Sequence, residues 1–355
     1  MSNVAKSKSD LSRAFSEDGA RKTHVGGQAL LEGVMMRGKY NWAVGVREPD
    51  GGVYEESHDL ASGQEKNGWM YWPCVRGCRA MVESLVLGYK ALEIAALHAF
   101  NEDEEDEAES ATSEPAAKSD GDAKFGKKEM AFSMVLGLLM GVVLFIVAPA
   151  FITNLLVGEY DVHTLAWNIV DGLLRVAVFV FYIWLIGRMS DIKRMFGYHG
   201  AEHKTIHCYE HGLPLTPENA RQFPRLHVRC GTAFLIMVMI IAILVYTVTP
   251  LNALISAWGV PDGAPKLALV IAARIALMPV IAGISYEITV RWAGSHPENP
   301  LVKVVLWPGM QMQYLTTNEP DDGMLECAIS AMQQVLEREE LEAAKAAAAA
   351  RGAQA

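Results

Sequence analysis

Residues Met130 to Val157 read MAFSMVLGLLMGVVLFIVAPAFITNLLV, a run without a charged side chain. Crossing the apolar core of a bilayer takes about 20 residues of helix. The run is apolar all round rather than along one stripe, which is the pattern of a helix surrounded by lipid or by other apolar helices. Three further stretches share this character: Leu165 to Gly187, Ala233 to Trp258 and Leu267 to Val290. The fold class this predicts is mainly α, a polytopic membrane protein with about four transmembrane helices. A hydrophobic fraction of 51% in 355 residues agrees with one such bundle carrying soluble appendages.

Orientation follows from the basic residues, which short cytoplasmic loops retain. Lys124, Lys127 and Lys128 precede the first span, and Arg188, Lys193, Arg194, Lys204, Arg221, Arg225 and Arg229 lie between the second and third. The other two connections, VGEYDVHT and GVPDGAPK, carry only Lys266 between them. Both termini and the loop 188–230 are therefore expected on the cytoplasmic side of the cytoplasmic (inner) membrane, in a multi-pass arrangement. The opening MSNVAKSKSDLSRAFSEDGARK is polar and lacks the apolar core of a signal peptide. Five cysteines, all assigned to the cytoplasmic side, fit reduced thiols better than a disulfide framework. The net charge of -10 argues against nucleic acid as a partner, although much of it sits in NEDEEDEAES at Asn101 to Ser110.

The chain then divides as follows. Residues 1–23 read as a disordered N-terminus, and 24–100 as a cytoplasmic glycine-rich segment with an amphipathic helix. Residues 101–126 form an acidic disordered linker, and 127–290 the four-helix membrane bundle with a histidine-rich helical loop at 188–230. A cytoplasmic C-terminal segment covers 291–337, and an alanine-rich tail 338–355. Within the second part, WAVGVREPDGGVYE alternates into a turn at Pro49 to Gly52, as a β-hairpin does. The helical pattern from Cys74 to Phe100 carries Arg76, Arg79, Glu83, Lys90 and Glu93 and is too charged to span, so it reads as an interfacial or bundle-packing helix. LVKVVLWPGMQMQYL, after the fourth span, reads as interfacial too.

The chemistry concentrates in YHGAEHKTIHCYEHG, Tyr198 to Gly212, which holds four of the ten histidines at four-residue intervals. On a helix, residues four apart share a face and drift by about 40° per step. His199, His203 and His207 therefore form a stripe on which two neighbours can close on one cation. His199-Gly-Ala-Glu202-His203 is an H-x-x-E-H, the inverted zincin order, in which two histidines bind zinc and the glutamate acts as general base. The same stripe would also serve as a solvated or membrane-surface face. A third donor is needed for a metal. His207, His227 and Glu287 are the candidates, with Cys230, Glu210 and His211 as rivals. Gly212 and Pro214 stop this helix, and Thr216 with Pro217 starts another.

Charged residues inside the spans are costly in lipid. Asp171 and Arg175 lie four apart on the second span and can pair, and Arg274 sits within the fourth. Glu287 lies near the cytoplasmic end of the fourth, level with the histidine loop. A pairing with Arg291, four residues on, is its other use.

GGQALLEGVMMRG, VRGCRAMVESLVLGYKAL, YHGAEHKTIHCYEHGLPLTPENAR, RLHVRCGTAFL, ISYEITVRWAG and WPGMQMQYLTTNEPDD together resemble the YqhQ-like family of bacterial membrane proteins, over roughly Gly26 to Glu337. That family is a domain of unknown function labelled as predicted metal-dependent enzymes. The resemblance implies that His199, Glu202, His203 and His207 occupy its HGAEHKTIH signature, and Glu32, Met35, Met36 and Arg37 its EGVMMRG signature. Val228 stands where the family pattern has proline.

The expected function is a metal-dependent hydrolase at the cytoplasmic face of the membrane. A divalent metal, zinc for this donor set, would be held by His199 and His203 with His207, His227 or Glu287. Glu202 is the expected catalytic base, and Arg37 or Arg229 the stabiliser of a developing oxyanion. A site beside the lipid bilayer admits lipid-linked molecules or peptides, and a homo-oligomer is a further arrangement the sequence leaves open. The alternative is a non-enzymatic metal- or haem-binding membrane scaffold or regulatory protein.

Overall fold

The computed structural model describes residues 10–16, 24–60, 68–99, 127–158, 164–249, 251–261, 263–293, 295–296 and 299–352. The expected linker at 101–126 lies outside them. Three of the described helices are long and apolar enough to cross a membrane: Val135–Val157, Leu165–Ile186 and Ala264–Ala293. Leu139, Phe151 and Leu155 on the first, and Leu173 and Phe181 on the second, are exposed, as lipid-facing side chains must be. The first span joins α3 (Lys127–Val142) to α4 (Ala148–Val157) through a π-helical turn at Val143–Val147. The second is α5 (Thr164–Ile186).

The stretch expected as the third span, Ala233 to Trp258, is not one helix. It forms α8 (Gly231–Val248) and α9 (Leu251–Ala257), and its continuous apolar part, Phe234–Val248, is shorter than the other three. The helix gives out at Thr249, the residue before Pro250, where the proline ring disfavours helical backbone. The last span is α10 (Ala264–Tyr286), extended by a π-helical segment at Glu287–Ala293.

The chain divides into two compact units, residues 101–182 with 239–278 and residues 1–100 with 183–238 and 279–355. In the first, the expected Asp171–Arg175 pair is present at 3.1 Å and is joined by Arg274, whose Nη1 donates to Asp171 at 2.5 Å and whose Nη2 donates to Asn168 Oδ1 at 2.5 Å. The Arg274 guanidinium also lies 4.6 Å from the Trp167 ring centroid and 4.8 Å from that of Tyr246. A buried charge is tolerated when it is paired and hydrogen-bonded, and Arg274 is both.

In the second unit, a four-stranded antiparallel meander runs β1 (Gly26–Leu30), β2 (Gly33–Arg37), β3 (Asn41–Arg47) and β4 (Val53–Asp59) in sheet order 1-2-3-4. The β3–β4 hairpin is the expected one, with Asn41 opposite Asp59 and a turn closed by Gly51 N–H on Glu48 O at 3.0 Å. The β1–β2 hairpin is additional. Its second strand is buried on both faces and its first, GGQAL, is short and glycine-rich, so no period-2 alternation announced them. Val34, Met36 and Ala43 pack under α6 (Ser190–Glu210) and α12 (Asp322–Gly352), while Met35, Trp42, Val44 and Val46 pack against Leu87, Ala91 and Ala95 of α2 (Val75–Ala99). The helix read as interfacial or bundle-packing thus covers the sheet with one stripe and exposes Val82, Leu85 and Val86 on another. Residues Asp10–Ser16, expected within a disordered terminus, form the short α1, with Ala14 buried beside Leu226 and Val302. Val302 belongs to α11 (Pro300–Thr316).

The β1–β2 turn has a strained corner. Glu32 adopts φ 50°, unusual for a residue with a side chain. Three contacts hold it there: its carbonyl accepts from Arg47 N–H at 2.7 Å, and its carboxylate takes Arg194 Nε at 2.6 Å and Tyr198 Oη at 3.1 Å. Arg194 holds the Glu32 carboxyl below its usual 4.5, against the opposing effect of burial. A depressed carboxyl pKa stabilises the fold above the unfolded value of about 4.3, and that stabilisation is lost as pH falls through the folded value. Glu32→Gln is therefore expected to lower stability towards denaturant at neutral pH, with the gap to wild type closing as pH falls through the depressed pKa of Glu32. A gap that persists unchanged into acid would show that the ion pair contributes nothing there.

Candidate metal centre

Helix α6 carries Asp191 in its first turn and ends as its sequence requires. Gly212 takes a left-handed φ of 69°, and Pro214 follows. Thr216 then caps α7 (Pro217–Ala220), its Oγ1 accepting from Asn219 N–H at 3.4 Å. The returning segment from Arg221 to Cys230 lies along α6 and offers it carbonyl groups. Lys204, buried, donates to Phe223 O at 2.7 Å and pairs with Glu319 at 2.9 Å.

Three histidines use other carbonyls, two from the same segment and one from α11. His203 Nδ1 lies 2.6 Å from Arg225 O, His207 Nε2 lies 2.9 Å from Leu226 O, and His199 Nδ1 lies 2.8 Å from Thr316 O. A carbonyl only accepts, so each ring must carry its proton on the nitrogen that faces it. The other nitrogen is left with its lone pair, which is the tautomer of a metal ligand. His199 Nε2 lies 3.2 Å from Cys230 Sγ. His203 Nε2 and His207 Nδ1 are buried without a hydrogen-bond partner.

The donor atoms converge in two groups, each within 4.8 Å: His199, His203 and Cys230, and His207, Glu210 and His227. The groups adjoin, with His203 and His227 ring centroids 5.6 Å apart. In the first, His199 and Cys230 are partly exposed; in the second, all three residues are buried. Glu210 pairs with Arg229, and its Oε2 lies 3.6 Å from His227 Nε2. Gln313 clamps the His227 backbone, accepting from its N–H at 2.8 Å and donating to its carbonyl at 2.9 Å.

Burial and neighbours set the protonation states. For Cys230, burial raises the thiol pKa, but the His199 and His203 rings overcome it and hold the thiol well below its usual value. Burial likewise opposes protonation of His199, yet Cys230 lifts its pKa to about 9. Burial depresses His207 to about 3 and holds His227 well below the ordinary range, so both are neutral. Glu202 is shifted up, by burial first. The thiolate of Cys230 and the neutral imidazoles of His207 and His227 are forms that ligate a cation, whereas His199 is held protonated against the thiolate and must release that proton when a cation binds.

Glu202 is 6% exposed beside His199 and His203, and Gly27 of β1 gives it a backbone hydrogen bond. A Cβ at Gly27 would stand 2.8 Å from Glu202 Cδ, so the glycine of GGQ is what lets the carboxylate lie against the sheet.

Two expected site residues lie elsewhere. The Glu287 carboxylate is paired with Arg76, whose Nε donates at 2.7 Å, and accepts from Cys74 N–H at 3.2 Å, so it stands in neither group. Arg76 lies on α2, and nothing in the local sequence of either residue points to the other. Arg37 Nη2 pairs with Glu83 at 2.9 Å. Cys230 and Glu210 join the groups in place of Glu287. Their signals were the His207-x-x-Glu210 spacing on one helix face and the short His227-x-x-Cys230 spacing.

The family model for the protein of unknown function DUF1385 matches residues 72–338. The chain belongs to this family. It is 32% identical over 316 residues to the uncharacterized protein YqhQ of Bacillus subtilis (strain 168), covering 89% of this chain and 93% of that relative. No solved structure matches the chain. The matched range includes both histidine groups and Glu202 of this family member, and begins after its β-sheet.

Proposed function

We propose that the protein is a metal-dependent hydrolase working at the cytoplasmic face of the membrane, with His199, His203 and Cys230 holding one divalent cation. The convergence of these three donors within 4.8 Å, beside the buried carboxylate of Glu202, carries the reading. Two imidazoles and a thiolate are a zinc donor set, and three protein donors with a fourth position open are the pattern of a catalytic rather than a structural zinc. The buried, unpartnered His203 Nε2 fits the same ion. When bound, the cation supplies a Lewis acid and lowers the pKa of a water molecule to about 7.

The chain's own groups do the rest. Arg225 O and Thr316 O orient the two imidazoles, and Gly27 N–H positions Glu202. Glu202 removes a proton from the attacking water and returns it to the leaving group. The partly exposed His199 and Cys230 form the side from which a substrate enters. Arg37 is held by Glu83 at 2.9 Å. Lipid-linked molecules or peptides are the substrate classes suited to a site beside lipid.

Elemental analysis of full-length protein purified in mild detergent, without added metal, tests the reading. Stoichiometric zinc is expected, and a metal-free protein that also fails to take up zinc would end it. The orientation, with four spans if α8 and α9 together complete the third, rests on the seven basic residues between Arg188 and Arg229. A reporter fused after Gly212 is expected to behave as cytoplasmic, and one placed in GVPDGAPK as external. An external signal at Gly212 would reverse the topology.

A further inference from the structure

The second group differs from the first in one respect that bears on its use. His207, Glu210 and His227 are buried on every side, whereas the first group is partly exposed. Both groups offer three donors, but only the first has an exposed side by which a substrate can reach the fourth position, so a cation in the buried second group is suited to holding structure. We infer that His207, Glu210 and His227 bind a second divalent cation, which ties α6 to the returning segment. This extends the proposed function, and rests on it for the identity of the first cation.

The geometry supports a clamp. His207 and Glu210 are three apart on α6 and so present to one side of it. His227 comes from the segment that returns along the helix, and Gln313 of α11 grips its backbone. His207 is anchored through Nε2 on Leu226 O, which directs its tautomer so that the lone pair falls on Nδ1. That atom is buried and has no hydrogen-bond partner, and leaving a buried acceptor unmade is costly. His207 and His227 lie with ring centroids 4.7 Å apart, and Glu210 Oε2 reaches within 3.6 Å of His227 Nε2. Arg229 engages the other carboxylate oxygen of Glu210 and its Nη2 also lies 3.4 Å from His227 Nε2, so the guanidinium stands beside the proposed ion and must give up the His227 contact when a cation binds, keeping its hold on Glu210.

The donor sets make the two sites distinguishable. Only the first contains a thiolate, so cobalt there shows a thiolate-to-cobalt charge-transfer band, whereas cobalt bound by two histidines and a carboxylate does not. The experiment is a cobalt titration of metal-stripped full-length protein in detergent, following total bound cobalt and the charge-transfer band together. Two equivalents are expected, with the band saturating at one. His207→Ala is expected to bind one equivalent with the band intact, and Cys230→Ser one equivalent without it. One equivalent in wild type with a full band would overturn the second site and leave the first standing. One equivalent without the band would support the second and sink the first. No bound cobalt, or two equivalents retained by His207→Ala, would overturn the inference. Because the wild-type count decides by itself, a variant that fails to fold does not rescue it.

Discussion

His203→Ala is expected to strip the first group of its cation, lowering affinity by on the order of 100-fold or more. His203 is the central ring of the cluster, 4.5 Å from His199 and 5.6 Å from His227 between ring centroids. Its Nδ1 is tied to Arg225 O, and its Nε2 is buried with no hydrogen bond to lose. Alanine removes a ligand and at the same time leaves the Arg225 carbonyl without that donor, so some loss of stability accompanies the loss of metal. Cys230→Ser separates the two effects, since it removes a soft ligand without touching that carbonyl. His98→Ala serves as the control. That histidine stacks on Tyr54 at 3.5 Å and meets Glu48 at 3.3 Å, apart from both groups, and its loss is expected to leave metal content unchanged. Full retention of metal by His203→Ala, measured by elemental analysis against wild type, would remove the reading of His199-x-x-Glu202-His203 as a binding site.

Glu202→Gln is expected to keep the cation and lose the chemistry. Glutamine has the same shape, so it meets the same backbone at Gly27 and can still accept its N–H, but it cannot hold a proton in transit. Removing a general base of this kind lowers turnover by about 100- to 10,000-fold. The comparison needs a hydrolysable ester or amide that the wild type turns over, and the readouts are turnover and metal content on the same preparations. A Gln variant that turns over as wild type does would leave Glu202 as a positioning or packing group. One that loses its metal would make Glu202 a ligand instead.

The histidine helix shows how far local sequence reaches. Its stop at Gly212 and Pro214, the shared face of His199, His203 and His207, and the following cap at Thr216 were all legible, because each depends on backbone geometry within one or two turns. The β3–β4 hairpin was legible for the same reason, through its turn residues and alternation. The first hairpin was not. Its second strand is covered on both faces, by α2 on one side and by α6 with α12 on the other, so its apolar residues carry no period that separates strand from helix, and its first strand, GGQAL, is too short and glycine-rich to carry one.

Partners distant along the chain were decided by tertiary structure alone. Glu287 looked like a ligand because a carboxylate near a span end needs a positive partner. The partner is Arg76, 211 residues away, and no local pattern encodes that distance. Asp171 could be paired with Arg175 by spacing, but the arrival of Arg274 on the same carboxylate required α10 to be beside it. The apolar runs by themselves determined that this chain enters a membrane, since hydrogen bonding within each helix is the condition for a backbone in lipid, whatever lies beside it. Which histidine nitrogen is tied up and which is left for a cation depended on the carbonyls of Arg225, Leu226 and Thr316, and these come near α6 only when the chain folds back.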